Sequence, residues 1–345
     1  RSQGRGGRGI TASASKEGDF IKDIFVASTH DYILFFTNLG RVYWLKVYEC
    51  PEMSRTSRGR SLVNVIQLQK GETVTNQVCV HDFNPERYVV LATREGVIKK
   101  TSLEAFSRPK KNGIIAIGVR DEDKLIGASI CGAGDEVILG TKGGMAIRFA
   151  ESDIRPMGRT AMGVGGISLK GDDRVVDMVV VSGSAEGQSL LTACRRGFGK
   201  RTPVSDYRLQ KRNGSGTINI RVTERNGPVV GMKAVADDDD IVLITKNGIL
   251  IRTAVSETRE IGRATQGVKL INVKGDDQLI SIERVAKQDE SEEGDSEGGE
   301  SETAESASTE PSSEGATPAA DSGDTPDTGD SGDSAEADES GETES

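Results

Sequence analysis

A pattern of about fifty residues recurs five times along this chain, and a repeat of that length constrains the fold more than any single motif does. In each copy an apolar strand leads into a Thr, two turn residues, a Gly and a second strand that ends in Lys or Arg. The first copy runs from Tyr32 through Thr37 and Gly40 to Arg41, the second from Tyr88 through Thr93 and Gly96 to Lys99 and Lys100. The third carries Thr141, Gly144 and Arg148, the fourth replaces Thr by Cys194 ahead of Gly197 and Lys200, and the fifth has Thr245, Gly248 and Arg252. Successive glycines of this set are 56, 48, 53 and 51 residues apart, which is a module length.

Each copy reads as a β-hairpin, because Gly supplies the positive φ that tight turns between apolar runs demand. The strand before the turn is almost continuously apolar, as in Ile33-Leu34-Phe35-Phe36 and Ile241-Val242-Leu243-Ile244, so it is expected to be covered on both faces. About fifteen residues further on comes a basic loop with Gly. Its copies are Arg55, Arg58, Gly59 and Arg60; Arg108, Lys110, Lys111 and Gly113; Arg155, Arg159 and Gly163; Arg208, Lys211, Arg212 and Gly214; and Arg259, Arg263 and Gly267. A short apolar strand and an acidic turn such as Lys170-Gly171-Asp172 complete the period.

The start of the chain fits the same frame, with Arg5 to Gly9 in the basic-loop position and no hairpin before it. The chain opens at Arg1 without Met, so it reads as a piece of a longer protein whose first unit is incomplete at its N-terminus. Six units of four short strands point to an all-β, propeller-like closed array of six blades rather than a sandwich, with little helix. Residues 1–285 are expected to form that array and 286–345 a disordered acidic tail.

The charge distribution supports the division. The whole chain has a formal net charge of −10, but residues 288–345 hold 21 acids and no Lys, Arg or aromatic residue. Residues 1–287 keep all 44 Lys and Arg against 33 acids, a net of +11, and a basic folded body favours a polyanionic partner. The tail is too polar to offset its ordering entropy. It reads either as a solubility extension or as an intramolecular mimic of the same polyanion.

Five basic loops in register could neutralise phosphates along a curved path, although any one of them alone reads as a solvated turn. Bending 20–30 bp of duplex by 40–90° costs on the order of 1–6 kcal/mol, which many distributed contacts can supply. No recognition helix is present and only 4% of residues are aromatic, so duplex shape and charge are the expected targets rather than base edges or single strands. Four cysteines without C-x-x-C spacing (Cys50, Cys79, Cys131, Cys194) read as reduced thiols of a cytoplasmic protein. No apolar run approaches the ~18 residues of a membrane span. No nucleotide-binding loop and no nucleophile with a supporting base occurs; His30, His81 and Asp237 to Asp240 read as structural, so neither catalytic residues nor a metal site is expected.

The segment Gln3-Gly4-Arg5-Gly6-Gly7-Arg8-Gly9 lets backbone N–H groups and two guanidiniums approach phosphates, and on its own it also reads as a flexible Gly/Arg tail. Heading this repeat, it resembles the gyrase-A box, Gln-Arg-Arg-Gly-Gly-Arg-Gly, of the C-terminal domain family of bacterial gyrase A proteins. Six of seven positions agree; Gly4 stands where the family has Arg. The resemblance spans roughly residues 1–285. It implies a β-pinwheel whose neighbouring blades exchange strands and whose basic rim wraps DNA with positive sense, the box (Gln3, Arg5, Gly6, Gly7, Arg8, Gly9) lying near the junction of first and last blades. It further implies a non-catalytic part of a type II topoisomerase that introduces negative supercoils. ATP and Mg2+ would serve the parent complex only. The partners would be duplex DNA, the rest of gyrase A, and gyrase B (A2B2), in bacterial cytoplasm at the nucleoid. Two rivals stay open: the corresponding C-terminal domain of topoisomerase IV, and a protein-binding β-propeller, whose rim would carry apolar anchors.

Overall fold

The computed structural model describes residues 10–11, 25–53, 57, 59–183 and 187–285; the chain divides into two units, Arg1–Asp289 and Glu290–Ser345, and the second lies outside the described residues, as does the expected tail. Among the described residues the strands are, in chain order, β1 (Ile10–Thr11), β2 (Tyr32–Thr37), β3 (Arg41–Lys46), β4 (Val74–Val80), β5 (Tyr88–Thr93), β6 (Val97–Ser102), β7 (Ile114–Ile115), β8 (Leu125–Cys131), β9 (Glu136–Thr141), β10 (Met145–Ala150), β11 (Val164–Gly165), β12 (Val175–Val181), β13 (Ser189–Cys194), β14 (Phe198–Pro203), β15 (Thr217–Ile218), β16 (Val229–Val235), β17 (Asp240–Thr245), β18 (Ile249–Ala254), β19 (Val268–Lys269) and β20 (Leu279–Val285). Helix among the described residues is limited to short 3-10 turns, one after each hairpin, such as Glu151–Asp153 and Val255–Glu257, and one more at Leu62–Asn64.

These strands form five antiparallel four-stranded sheets: blade 1 (β4-β2-β3-β7), blade 2 (β8-β5-β6-β11), blade 3 (β12-β9-β10-β15), blade 4 (β16-β13-β14-β19) and blade 5 (β20-β17-β18-β1). In every blade the fourth strand is two residues long and comes from another repeat. Arg41 and Val42 of blade 1, for example, pair with Ile115 and Ile114 of the second repeat. β1 belongs to the first repeat yet pairs with the last blade, Ile10 opposite Leu250 and Thr11 opposite Ile249. Strand exchange of the pinwheel kind is therefore present.

The expected six blades are corrected to five. A repeat supplies three strands to its own blade and its short strand to the preceding one; of the first repeat, the described residues include the exported strand β1. The segment after the first basic loop shows the converse. Leu62–Asn64, in the place of an exported strand, is a 3-10 turn, and no described strand pairs with it.

The continuous apolar runs are explained by packing on both faces. Leu34 and Phe36 of β2 face Val89 and Leu91 of blade 2, whereas Ile33 and Phe35 point the other way, onto Ile66 and Leu68. The same alternation sends Val90 and Ala92 to blade 3, Ile138 to blade 4 and Leu191 to blade 5. Successive strand residues point to opposite faces, so a strand inside a stack of blades has no polar side to present. Each fully buried Leu, Ile or Val adds about 1.5–3 kcal/mol.

The hairpin glycines carry the positive φ that the sequence demands, from 75° at Gly40 to 87° at Gly144. In blades 1 to 4 they also have a second task. The Gly40 carbonyl accepts N–H bonds from Ala116 (2.8 Å) and Ile117 (3.1 Å) of the next repeat, and a Cβ at Gly40 would sit 2.5 Å from the Ile117 carbonyl oxygen. Gly96, Gly144 and Gly197 accept from the following repeat in the same way, so each of these turns is a latch between blades.

Candidate nucleic-acid interface

The basic loops lie on the outer strand of the preceding blade. Main-chain bonds fix them there: Met157 N donates to the Lys100 carbonyl (2.8 Å), Gln210 N to Arg148 (3.0 Å) and Ile261 N to Arg201 (2.9 Å). Four of the five loops then close through a glycine of positive φ: Gly113 (65°), Gly163 (98°), Gly216 (71°) and Gly267 (79°). A Cβ there would meet a carbonyl oxygen of the strand below at 2.9, 2.6, 2.4 and 2.5 Å respectively, so only Gly brings the loop this close. In the fourth repeat the sequence pattern assigns this position to Gly214; the structure gives it to Gly216, two residues nearer the exported strand.

Most loop cations expected at the interface are on the surface. Arg60, Arg108, Lys110, Lys111, Arg155, Arg208, Lys211 and Arg259 are exposed. Arg159 and Arg263 are half-buried, and the Arg263 guanidinium lies 6.0 Å from the Tyr207 ring centroid. Arg212 departs from expectation. Its Nε donates to the Asp153 carbonyl (3.0 Å) and its Nη1 to the Gly165 carbonyl (2.9 Å), so it braces the loop onto the neighbouring repeat. Lys211 pairs with Asp153 at 2.7 Å while remaining 90% exposed. Arg55 and Arg58, and the box residues Gln3, Arg5, Gly6, Gly7, Arg8 and Gly9, lie outside the described residues. Ile10 and Thr11, which follow the box in sequence, are the residues that join blade 5.

The cations expected at the ends of the second hairpin strands lie in the middle of them instead, and they behave differently. Lys99 and Lys200 are completely buried. Lys99 Nζ donates to the Ala116 carbonyl (2.6 Å) and to that of Arg159; Lys200 Nζ donates to the carbonyls of Arg263 (2.7 Å) and Gly262 (3.1 Å) and to Thr202 Oγ1 (2.8 Å). Both hold the backbone of a basic loop from beneath. Burial, reinforced by the guanidinium of Arg159 or Arg263, pulls each ammonium down to about 7. Lys100 forms a buried ion pair with Glu151, and Arg148 Nε one with Glu136 (2.6 Å). These strand cations serve the fold.

The acidic turns, to which the sequence pattern gives no role, brace the hairpins. Asp173 accepts Thr141 Oγ1 (2.6 Å) and the Gly143 N–H (2.7 Å) of blade 3, Glu72 accepts Thr37 Oγ1 (3.0 Å), and Asp123 and Asp277 accept the turn N–H groups of Glu95 and Asn247 (both 3.0 Å). In blades 1 and 3 the repeated Thr, 35 and 32 residues before the acid, is hydrogen-bonded to it. The recurrence of an acid at that distance after the Thr is a signal that sequence reading could have used. The Asp237–Asp240 run is likewise committed: Asp239 accepts the Ala236 N–H (2.7 Å) and pairs with Arg284, and Asp240 pairs with Arg252. Burial pushes the Cys131 and Cys194 thiols up to about 12, which leaves them unreactive. Among the described residues no helix is long and apolar enough to cross a membrane.

Blades built of local hairpins, linked by exported strands and edged with exposed cations, define a β-propeller-type module. The family described as "DNA gyrase C-terminal domain, beta-propeller" matches residues 1–28, 31–76, 87–131, 135–182, 188–236 and 239–286, and the chain belongs to that family. Six segments are matched, the first the shortest, so repeats outnumber complete blades by one. The chain is 44% identical over 318 residues to the DNA gyrase A protein of Haemophilus influenzae and 46% over 291 residues to that of Salmonella typhimurium, in both cases across 84% of this chain. It spans about a third of those relatives (36% and 33%). A solved DNA gyrase A C-terminal domain superposes with a TM-score of 0.74 at 28% identity, covering 83% of this chain and 93% of its own. The C-terminal domain of DNA topoisomerase IV does so at 0.67 and 25%, covering 74% and 80%.

Proposed function

We propose that this chain binds duplex DNA along its cationic edge and wraps it with positive sense, so that a parent gyrase introduces negative supercoils by ATP-dependent strand passage. The observation that carries the reading is the recurrence of exposed Lys and Arg at equivalent loop positions on successive blades, from Arg108 through Arg155 and Arg208 to Arg259. Equivalent positions on a stack of blades give a curved row of phosphate contacts. Arg60, Lys110, Lys111, Arg159, Lys211 and Arg263 contribute to that row. Arg55 and Arg58, and the box residues Gln3, Arg5, Gly6, Gly7, Arg8 and Gly9, which precede in sequence the strand that joins blade 5, are further phosphate contacts in this reading.

In this reading the chain carries no catalytic residue, and cleavage, ATP and Mg2+ belong to the rest of an A2B2 complex in the bacterial cytoplasm. Eight engaged cations would give a slope of log K against log salt of about −7. The test is topological. Relaxed plasmid is incubated with residues 1–345, relaxed again by a type I topoisomerase and run on a gel beside an Arg5→Ala/Arg8→Ala variant. A positive shift in linking number that the variant loses is expected. Binding without any shift would favour the topoisomerase IV-like reading, and absence of binding a protein-binding propeller.

A further inference from the structure

Blade 4 breaks the repeat at one place, and the break coincides with a concave basic surface. In the other four blades a carboxylate (Glu72, Asp123, Asp173 or Asp277) braces the hairpin turn. In blade 4 the Thr is Cys194 and the position of the acid, two residues before the third strand, holds Gly227, preceded by Asn226. Asn226 is fully buried: its Nδ2 donates to the carbonyls of Arg221 and Gln266 (both 3.0 Å) and its Oδ1 accepts the Thr223 N–H (2.7 Å). The main-chain carbonyl of Asn226 accepts the turn N–H of Arg196 (3.0 Å) where the other blades use a carboxylate, and its side-chain amide ties this segment to Gln266, in the last basic loop. What blade 4 loses is a negative charge, and what surrounds the loss is arginine. Arg195 and Arg196 form the turn itself, and Arg225 sits beside it; all three are exposed and form no ion pair among the described residues.

These arginines line a cleft of about 750 Å3 between the blade 4 turn and the segment that follows β19. Phe198 also lines it, with the Arg225 guanidinium 4.9 Å and the Lys269 ammonium 5.9 Å from the ring centroid. Lys269 is held by Asn272 Oδ1 (2.8 Å), so its charge is oriented rather than free. Three acids also line the cleft, Glu224, Asp276 and Asp277, but Asp277 is buried and already accepts the N–H groups of Asn247 and Gln278. The two turns of blade 4 carry Arg195, Arg196, Arg221 and Arg225 against Glu224 alone. In blade 2 the matching turns hold Arg94, Arg120 and Lys124 against Glu95, Asp121, Glu122 and Asp123.

We propose that this cleft is a second phosphate-binding patch for duplex DNA, in which Arg195, Arg196 and Arg225 grip the backbone where it leaves the edge loops for the turn side of blade 4. The proposal rests on the DNA-wrapping reading above. Its continuity with the edge is physical: Arg221 N donates to the Thr265 carbonyl (2.8 Å) and Asn226 Nδ2 to that of Gln266 (3.0 Å), so the cleft and the Arg259–Gly267 loop are hydrogen-bonded together. Exposed guanidiniums that are not neutralised by neighbours suit phosphate, which they contact bidentately. A local rule of the repeat broken without loss of packing marks a site kept for another purpose.

The experiment compares three forms of the full 345-residue chain on a duplex of about 150 bp, one persistence length, by salt titration of affinity. They are the unaltered chain, Arg195→Gln/Arg196→Gln/Arg225→Gln, and Arg155→Gln/Arg259→Gln as the edge control. Thermal melts check that each is folded; substitution of exposed side chains moves stability little. The cleft variant is expected to lose about 2–3 units of salt slope and at least tenfold in affinity at physiological salt. An unchanged slope in the cleft variant beside a reduced one in the edge control overturns the cleft and leaves the edge reading intact. A rise in affinity also overturns it, because the cleft would then hold an anion that competes with DNA. Absence of binding by the unaltered chain sinks the wrapping reading itself.

Discussion

Strand cations and loop cations of one blade sit a few residues apart in sequence and do opposite things. Lys99, Lys100, Lys200 and Arg201 lie in the middle of the second hairpin strands β6 and β14 and are buried against carbonyls and carboxylates. Arg155 and Arg259 stand on the loops that those strands support, Arg108 and Arg208 on the loops over β3 and β10, and all four are exposed. Charge type does not distinguish the two sets. Position relative to the hairpin glycine does: the residue three after Gly96 or Gly197 faces the loop of the next repeat, whereas the same position in blade 3 or 5 holds Ile147 or Ile251. One set builds the platform and the other occupies it.

The contrast breaks first on Lys100. Lys100→Ala leaves Glu151 buried without its partner and is expected to cost about 3–5 kcal/mol in urea unfolding. A loss below ~1 kcal/mol would place the pair in solvent and erase the distinction. Next, Gly163→Ala forces a Cβ to 2.6 Å from the Ile98 carbonyl at a φ of 98° and should cost about 1–3 kcal/mol. Gly158→Ala in the same loop meets nothing within 4 Å and should be neutral.

The third test is pH. The folded chain releases the Lys99 and Lys200 protons near 7, whereas the unfolded chain keeps them to 10.5, so above pH 7 the unfolded state binds more protons and stability rises with pH. Between pH 7 and 8 the gain is on the order of 1 kcal/mol per lysine, and a Lys99→Met/Lys200→Met chain should show a flatter profile. Above pH 9 the rise levels off, because the thiols of Cys131 and Cys194 ionise in the unfolded chain but stay protonated to about 12 in the fold; once the unfolded lysines titrate at 10.5 the trend reverses. Loop cations sharpen the comparison from the other side: Arg155→Gln is expected to leave the melt unchanged and to reduce the DNA salt slope by about 1. The smallest effect is expected from the tail. Removing residues 288–345 should tighten DNA binding at low salt, and an unaltered affinity would show that the 21 acids do not compete for the basic edge.

The repeat, the hairpins and the turn glycines at 40, 96, 144, 197 and 248 are legible in the sequence because a tight turn needs a residue that tolerates positive φ. The loop cations are legible for a similar reason: they recur in register. Arg212 is not, because its use depends on the carbonyls of Asp153 and Gly165, more than forty residues away. Nor is the blade count, since periodicity reports how many repeats there are and says nothing about which sheet a two-residue strand joins. The burial of Lys99 and Lys200 is hidden too. Their acceptors are backbone oxygens of the next repeat, and backbone leaves no trace in a sequence pattern.

The handover of a short strand from each repeat to the blade before it also governs how such a chain can change in length. Excising one complete period leaves every junction with a donor and an acceptor, because the repeat that follows brings an equivalent short strand. Cutting within a period strands a donor on one side and exposes an unpaired outer edge on the other, two faults from one event, and bare edges invite pairing between molecules. Copy number in this architecture therefore moves in whole steps, and a chain of this kind grows or shrinks by repeats rather than by residues.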